Sequence, residues 1–211
     1  MEALGLNLDR ASDMAEATLA DLGIAFLFAQ KHHPALARIA PIRKTLGRRT
    51  IFNLLGPLAN PAGVTRQLVG VSHPALIALY RDAMAQLDTE TALIVSGAEG
   101  LDELSIAGTS YLAEIGMPGI ETELTPDRGG LAPQPLAGLR GGDAAFNAAA
   151  LHRLLLGETG AYRDAVLLNS AAALLVAGHV DDWLEGVEEA AEVIDKGLAK
   201  TLLDCWIATT K

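Results

Sequence analysis

The sequence predicts an α/β fold, a mainly parallel sheet flanked by helices, and three observations carry that prediction. In the centre of the chain, QLVGVS at 67–72 and TALIVS at 91–96 are short, largely apolar runs of the kind that form buried strands. Between them, PALIALYRDAMAQL at 74–87 places apolar residues at Leu76, Leu79, Tyr80, Met84 and Leu87, which is helical spacing. From Asp143 onward the pattern is helical to the end. At 211 residues, half of them apolar and a fifth charged, the chain can bury the core that such an architecture needs.

The elements follow in order. Residues 12–30, SDMAEATLADLGIAFLFAQ, open on Ser12 as a helix cap, with Glu16 close to the capping-box position, and pass through Gly23 into a second apolar segment. Pro34 fits the first turn of a short helix over 34–46. From Asn53 to Ala62 the placing of Gly56, Pro57 and Pro61 forbids a long regular element, so Leu54, Leu55 and Leu58 belong to an irregular, ordered loop. The central strand–helix–strand comes next. Ligands of such sheets collect at the carboxyl ends of the strands, where GAEGLDELS leaves the second one. Further strands are expected at 109–115 and 120–125, before a Pro/Gly-rich connector from Pro126 to Gly142. Asp143 can cap a helix to about Leu156, a second helix spans about 160–177 and stops at Gly178, and a third runs from Asp182 to about Thr209. Their alanine-rich faces imply close helix-on-sheet packing.

Composition excludes several classes. The formal charge of −10 repels phosphate backbones over most of the surface, so nucleic acid is not an expected partner. The densest basic stretch, Arg38, Arg43, Lys44, Arg48 and Arg49, reads as a solvated helix face or as a binding surface. Cys205 is the single cysteine, which excludes an internal disulfide framework and fits a reducing cytoplasm; next to Trp206 it reads as a packed thiol. The longest greasy stretch, AVLLNSAAALLVAG at 165–178, is too short for a membrane span and is interrupted by Asn169 and Ser170. Glu2 and Asp9 stand where a secretion signal would be basic and then apolar. A soluble cytoplasmic protein with no membrane partner is therefore expected.

Chemistry concentrates in few places. Asp102 and Glu103 are adjacent acids on a Gly-flanked loop after a buried strand. Two hard oxygen ligands side by side suit Mg2+, which keeps several waters and is held by one or two carboxylates plus substrate phosphates. The alternative is a helix-capping Asp followed by an exposed Glu. His32 and His33 are adjacent, so their side chains diverge, and no third ligand is near; His73, His152 and His179 are scattered, without an acid or cysteine at ligand spacing.

RKTLGRRTIFNLLGPLANPAGVTR at 43–66 and GAEGLDELSIAG at 97–108 resemble the acceptor loop and the metal-binding acidic pair of the anthranilate phosphoribosyltransferases, a tryptophan-pathway family. GIAFLFAQKHHPAL, LRGGDAAFN and NSAAALL extend the resemblance to nearly the whole chain. It implies that Asp102 and Glu103 coordinate the Mg2+ that escorts phosphoribosyl pyrophosphate. It also implies that Arg43 grips the carboxylate of anthranilate, which a guanidinium can do with two parallel hydrogen bonds. Arg49 and Asn53 would tie down the irregular loop, Gly56 and Pro57 would shape the acceptor pocket, and Pro57 would touch the aromatic ring. Arg48, Gln30 and Phe146 depart from the family pattern.

The implied reaction is attack of the anthranilate amine on C1 of the phosphoribosyl group with release of pyrophosphate, which needs no dedicated nucleophilic side chain. The resemblance further implies remnants of a small helical domain over about 20–48, a sheet incomplete at its N-terminal side, and a homodimer formed through the helical domain. The family's Gly-Thr-Gly-Gly-Asp loop, Lys-His-Gly-Asn segment and Ser-Ala-Asp stretch precede its Leu-Glu-Ala-Leu-Gly, and here Glu2-Ala3-Leu4-Gly5 follows Met1 alone. The expectation is a chain covering the C-terminal two thirds of the enzyme, with little or no activity alone because the phosphate cradle is not among these residues. Two alternatives are a pyrimidine nucleoside phosphorylase-like enzyme, disfavoured by the placing of Arg43, and a non-catalytic nucleic-acid-binding paralogue, which would need a basic groove.

Overall fold

The computed structural model describes residues 1–32, 45, 47, 51 and 54–211. The helix expected over 34–46 lies almost wholly outside the described residues, as do Arg43, Arg48, Arg49, Thr50 and Asn53. The chain divides into two compact units, one of Met1–Gly63, Gly142–His152 and Leu198–Lys211, the other of Val64–Gly141 and Arg153–Gly197.

The second unit is built on a sheet in the order β1 (Arg66–Gly70), β2 (Thr91–Gly97), β3 (Ser110–Ile115), β4 (Glu123–Leu124). The central expectation holds: β1 and β2 pair in parallel, Arg66 opposite Thr91 and Gly70 opposite Val95, and a helix, Ile77–Met84, joins them. The α/β class stands, but the described sheet is mixed and not mainly parallel, since β2–β3 and β3–β4 are antiparallel. The reason is the connection. No helix intervenes between β2 and β3, and a parallel return requires a crossover. The strand expected over 120–125 forms pairing only at Glu123 and Leu124.

β2 is buried from Ala92 to Gly97. Alternate residues of a strand face opposite sides of a sheet, so complete burial requires cover on both. Ile77–Met84 packs on β2 and β3, and the long helix Ala161–Ala177 packs on β1 and β2. The 165–178 stretch thus forms a core helix, with Leu167, Leu168, Ala171, Ala172, Leu175 and Val176 buried. Trp183–Asp195 packs on that helix so closely that a Cβ at Gly186 would lie 2.8 Å from the Cβ of Ala171, which explains the small residues on both faces. Asp182 caps it by accepting from the Glu185 N–H at 2.9 Å.

The helix expected from 182 to 209 is two helices, Trp183–Asp195 and Leu198–Thr209. Gly197, at φ 69°, takes the left-handed conformation that ends the first.

The first unit is helical where described. Ser12 is not the expected cap: it lies inside the helix Leu8–Asp13, donating its hydroxyl to the Leu8 carbonyl at 2.9 Å, and Asn7 caps instead by accepting from the Arg10 N–H at 3.1 Å. Ala15–Leu22 follows and stops at Gly23, φ 76°. Leu6, Ala11 and Trp206 form the core, wrapped by Leu8, Leu22, Ile24, Phe26, Leu203 and Ile207. The Asp143 cap is borne out, its carboxylate accepting from the Phe146 N–H at 2.8 Å at the start of Ala144–Leu155. Around Pro57 the expected irregular loop contains one turn of 3-10 helix, Gly56–Leu58. Among the described residues no helix is long and apolar enough to cross a membrane.

Leu168 is fully buried whereas Leu156 is 73% exposed. Leu168→Ala should therefore lower unfolding free energy by about 2–5 kcal/mol, and Leu156→Ala should change it by less than about 0.5 kcal/mol, both read from urea denaturation.

Candidate functional site

The segment between β2 and β3 is a compact loop closed at its base, where the Ala98 N–H donates to the Thr109 carbonyl at 3.0 Å. At its start the Gly97 N–H donates to the Leu101 carbonyl at 2.9 Å, the Gly100 N–H donates back to the Gly97 carbonyl at 3.0 Å, and Gly100 adopts φ 89°. Leu104 and Ile106 then turn inward, 1% and 0% exposed. Ser105, also fully buried, donates its N–H to the Ser110 hydroxyl at 2.8 Å, and its own hydroxyl accepts from the Ala107 N–H at 3.0 Å. The Ile106 carbonyl accepts from the Gln134 N–H at 2.8 Å. Apolar burial and satisfied backbone groups together hold the loop in one shape.

Asp102 and Glu103 stand just before the Leu104 anchor and are exposed. Gly70, the last residue of β1, admits them: a Cβ there would lie 1.6 Å from the Asp102 carbonyl oxygen, so only glycine lets the loop lie across that strand end. From the other side, Asn169 of Ala161–Ala177 accepts from the Leu104 N–H at 2.9 Å and donates to the Leu104 carbonyl at 3.1 Å. Neither residue was among the expected site residues. Their signals were a glycine closing an apolar strand and an amide interrupting an apolar helix.

The Glu103 carboxyl is held above its ordinary pKa by desolvation, then by the negative charge of Asp102 and a hydrogen bond shared with it. Among the described residues no cation contributes to that shift. Adjacent hard oxygens are the donor set that suits Mg2+ when phosphate and water supply the remaining ligands. Among the described residues no group of three or more His, Cys, Asp or Glu side chains forms a self-sufficient metal site.

Pro57 lies in the first compact unit and is half-buried, with Leu54, Leu55 and Leu58 half-buried around it; Arg43 lies outside the described residues. His73 serves as a cap, its Nδ1 accepting from the Ala75 N–H at 3.1 Å. Cys205 is exposed and not the packed thiol expected, because Trp206 takes the inward position in their helix. A cavity of about 610 Å³ in the first unit is lined by residues including Glu2 and Asp9, and among the described residues no cationic side chain lines it to attract phosphate.

A family model described as "Glycosyl transferase family, a/b domain" matches residues 1–200. The chain is similar to the anthranilate phosphoribosyltransferase of Novosphingobium aromaticivorans, 61% identical over 209 residues that cover 99% of this chain and 63% of the relative. It is also similar to that of Sphingopyxis alaskensis, again 61% identical with the same coverage. The crystal structure of anthranilate phosphoribosyltransferase from Thermus thermophilus superposes with a TM-score of 0.92 at 40% identity, covering 99% of this chain and 62% of that one. The Saccharomyces cerevisiae enzyme in complex with PRPP and Mg superposes with a TM-score of 0.88 at 28% identity, covering 99% of this chain and 59% of that one. This chain thus spans about 63% of the length of these two curated relatives.

Gly70→Ala should destabilise the protein by about 1–3 kcal/mol in urea denaturation, because either β1 or the acidic loop must move to admit the methyl group. Gly63→Ala would be a poor control, since φ there is 59°; Gly56, with open space around its Cβ position, is the proper one.

Proposed function

The chain belongs to the glycosyl transferase family defined by that a/b domain, and on that premise we propose that it carries the metal-binding and acceptor parts of an anthranilate phosphoribosyltransferase. One observation carries the reading: two exposed, adjacent carboxylates on a hydrogen-bonded, firmly seated loop at the carboxyl end of β2. The names of the relatives supply the substrates, anthranilate and phosphoribosyl pyrophosphate (PRPP). A yeast relative is described in complex with 4-fluoroanthranilate, in keeping with an aromatic acceptor.

In this reading Asp102 and Glu103 would hold Mg2+ when PRPP is bound. The bound ion would offset negative charge developing on the leaving pyrophosphate. The amine nitrogen of anthranilate forms a bond to C1 of the ribose as the bond from C1 to the pyrophosphate oxygen breaks. Pyrophosphate departs with the electron pair, and the amine proton passes to solvent. Arg43 binds the anthranilate carboxylate and Pro57 lies against the ring, so orientation of the acceptor does much of the work. The reading includes a homodimer formed through the helical domain, to which residues of about 20–48 contribute, and a cytoplasmic location. It includes neither nucleic acid nor membrane as partner, and the charge of −10 favours that. No specific observation favours a pyrimidine nucleoside phosphorylase.

Calorimetry with PRPP should show weak binding, since the family's phosphate-cradle segments are not among these residues, that requires Mg2+ and falls further by at least about tenfold in the Asp102→Asn, Glu103→Gln double variant. Binding that is indifferent to the metal or to those substitutions would overturn the reading. Arg43→Ala should weaken anthranilate binding by roughly 10–100-fold, the loss expected for a charge-assisted hydrogen bond, whereas Arg43→Lys should retain part of it. Titration of anthranilate fluorescence measures both.

A further inference from the structure

We propose that Asn169 is a positioning residue for the Asp102–Glu103 pair, its amide gripping the backbone of Leu104 and thereby setting where the two carboxylates stand around a divalent cation. The inference rests on reading those acids as a Mg2+ site and adds a residue that does not itself touch the metal.

The geometry is two-sided. Oδ1 of Asn169 accepts from the Leu104 N–H at 2.9 Å, and Nδ2 donates to the Leu104 carbonyl at 3.1 Å and to the Ala165 carbonyl at 2.9 Å. Both amide protons are therefore used on carbonyls and the oxygen on an N–H, so the orientation of the amide is determined: a flipped amide would set donor against donor. Leu104 follows Glu103 directly and is 1% exposed, so water competes poorly for its backbone groups. Losing the amide would leave the N–H and the carbonyl of a buried residue without partners.

The residue type matters. Aspartate keeps the acceptor, loses the donor and adds negative charge; serine is too short to reach both groups; leucine fills the space and bonds neither. Asn169 is half-buried in a helix whose neighbouring Leu168 and Leu175 are core residues, so helix packing does not by itself demand an amide there. Gly70 leaves the opposite side of the loop open. The acidic pair thus sits between a strand end that makes room and a helix that holds the chain. Outer hydrogen bonds that orient metal-binding carboxylates commonly contribute roughly 10–100-fold to metal affinity.

The test uses two NMR readouts on the full 211-residue chain. Amide hydrogen exchange at Leu104, without metal, reports the grip; paramagnetic broadening of amides 101–104 during titration with Mn2+ alone reports the site. Asn169→Ala is compared with wild type and with Leu175→Ala, a packing variant of the same helix. Exchange at Leu104 should speed at least about tenfold and the Mn2+ Kd should rise about tenfold or more in Asn169→Ala, with Leu175→Ala moving neither selectively. Should the alanine variant not fold, Asn169→Ser carries the comparison. A Leu104 amide unprotected in wild type, or a Mn2+ Kd unchanged in the Asn169 variant, overturns the positioning role. An equal shift in Leu175→Ala reduces it to general destabilisation and overturns it too. Failure of the underlying reading has a different signature: wild-type protein that binds no Mn2+, or binds it equally well with Asp102→Asn and Glu103→Gln.

Discussion

The burial of β2 from Ala92 to Gly97 is the constraint from which the second unit follows. Six successive residues out of water require a neighbour on each edge and cover on each face, because an unpaired backbone group or a wetted leucine costs free energy in every direction. β1 and β3 supply the edges, and the helices Ile77–Met84 and Ala161–Ala177 supply cover. A strand so enclosed meets solvent at its ends, and its carboxyl end is where the polar chemistry of the chain emerges.

The loop at that end divides its labour by residue. Leu104, Ser105 and Ile106 are buried and fully engaged, while Asp102 and Glu103, one step earlier, are left in water. A loop held by apolar anchors and by hydrogen bonds with Ser110, Gln134 and Asn169 keeps two like charges adjacent. Desolvation and the charge of Asp102 raise the Glu103 pKa, and a divalent ion would offset that repulsion. A surface pair on a slack loop would instead separate.

Much of this was legible in the sequence. The strand–helix–strand of 67–96, the Asp143 cap, the stop at Gly178 and the irregular run around Pro57 all follow from local rules of periodicity, capping and backbone restriction, and they stand. The local rules failed where two candidates competed. Ser12 and Asn7 both offer capping oxygens, and burial of Ala11 selected the earlier start. Gly197 lay inside a run whose apolar period continues unbroken, so the break after Asp195 was hidden by the pattern on either side. The mixed sheet escaped notice because strand direction depends on how a connection folds back, which apolar content does not encode.

By itself the sequence determined the α/β class, the parallel pair, the family resemblance and the identity of the acidic pair, since each is carried by residue type and by spacing along the chain. Only the tertiary structure decided that Gly70 must be glycine and that Asn169 holds Leu104. Gly70 meets Asp102 from 32 positions away and Asn169 reaches Leu104 from 65, and contacts over such distances arise from the packing of a strand and a helix on either side of the same loop.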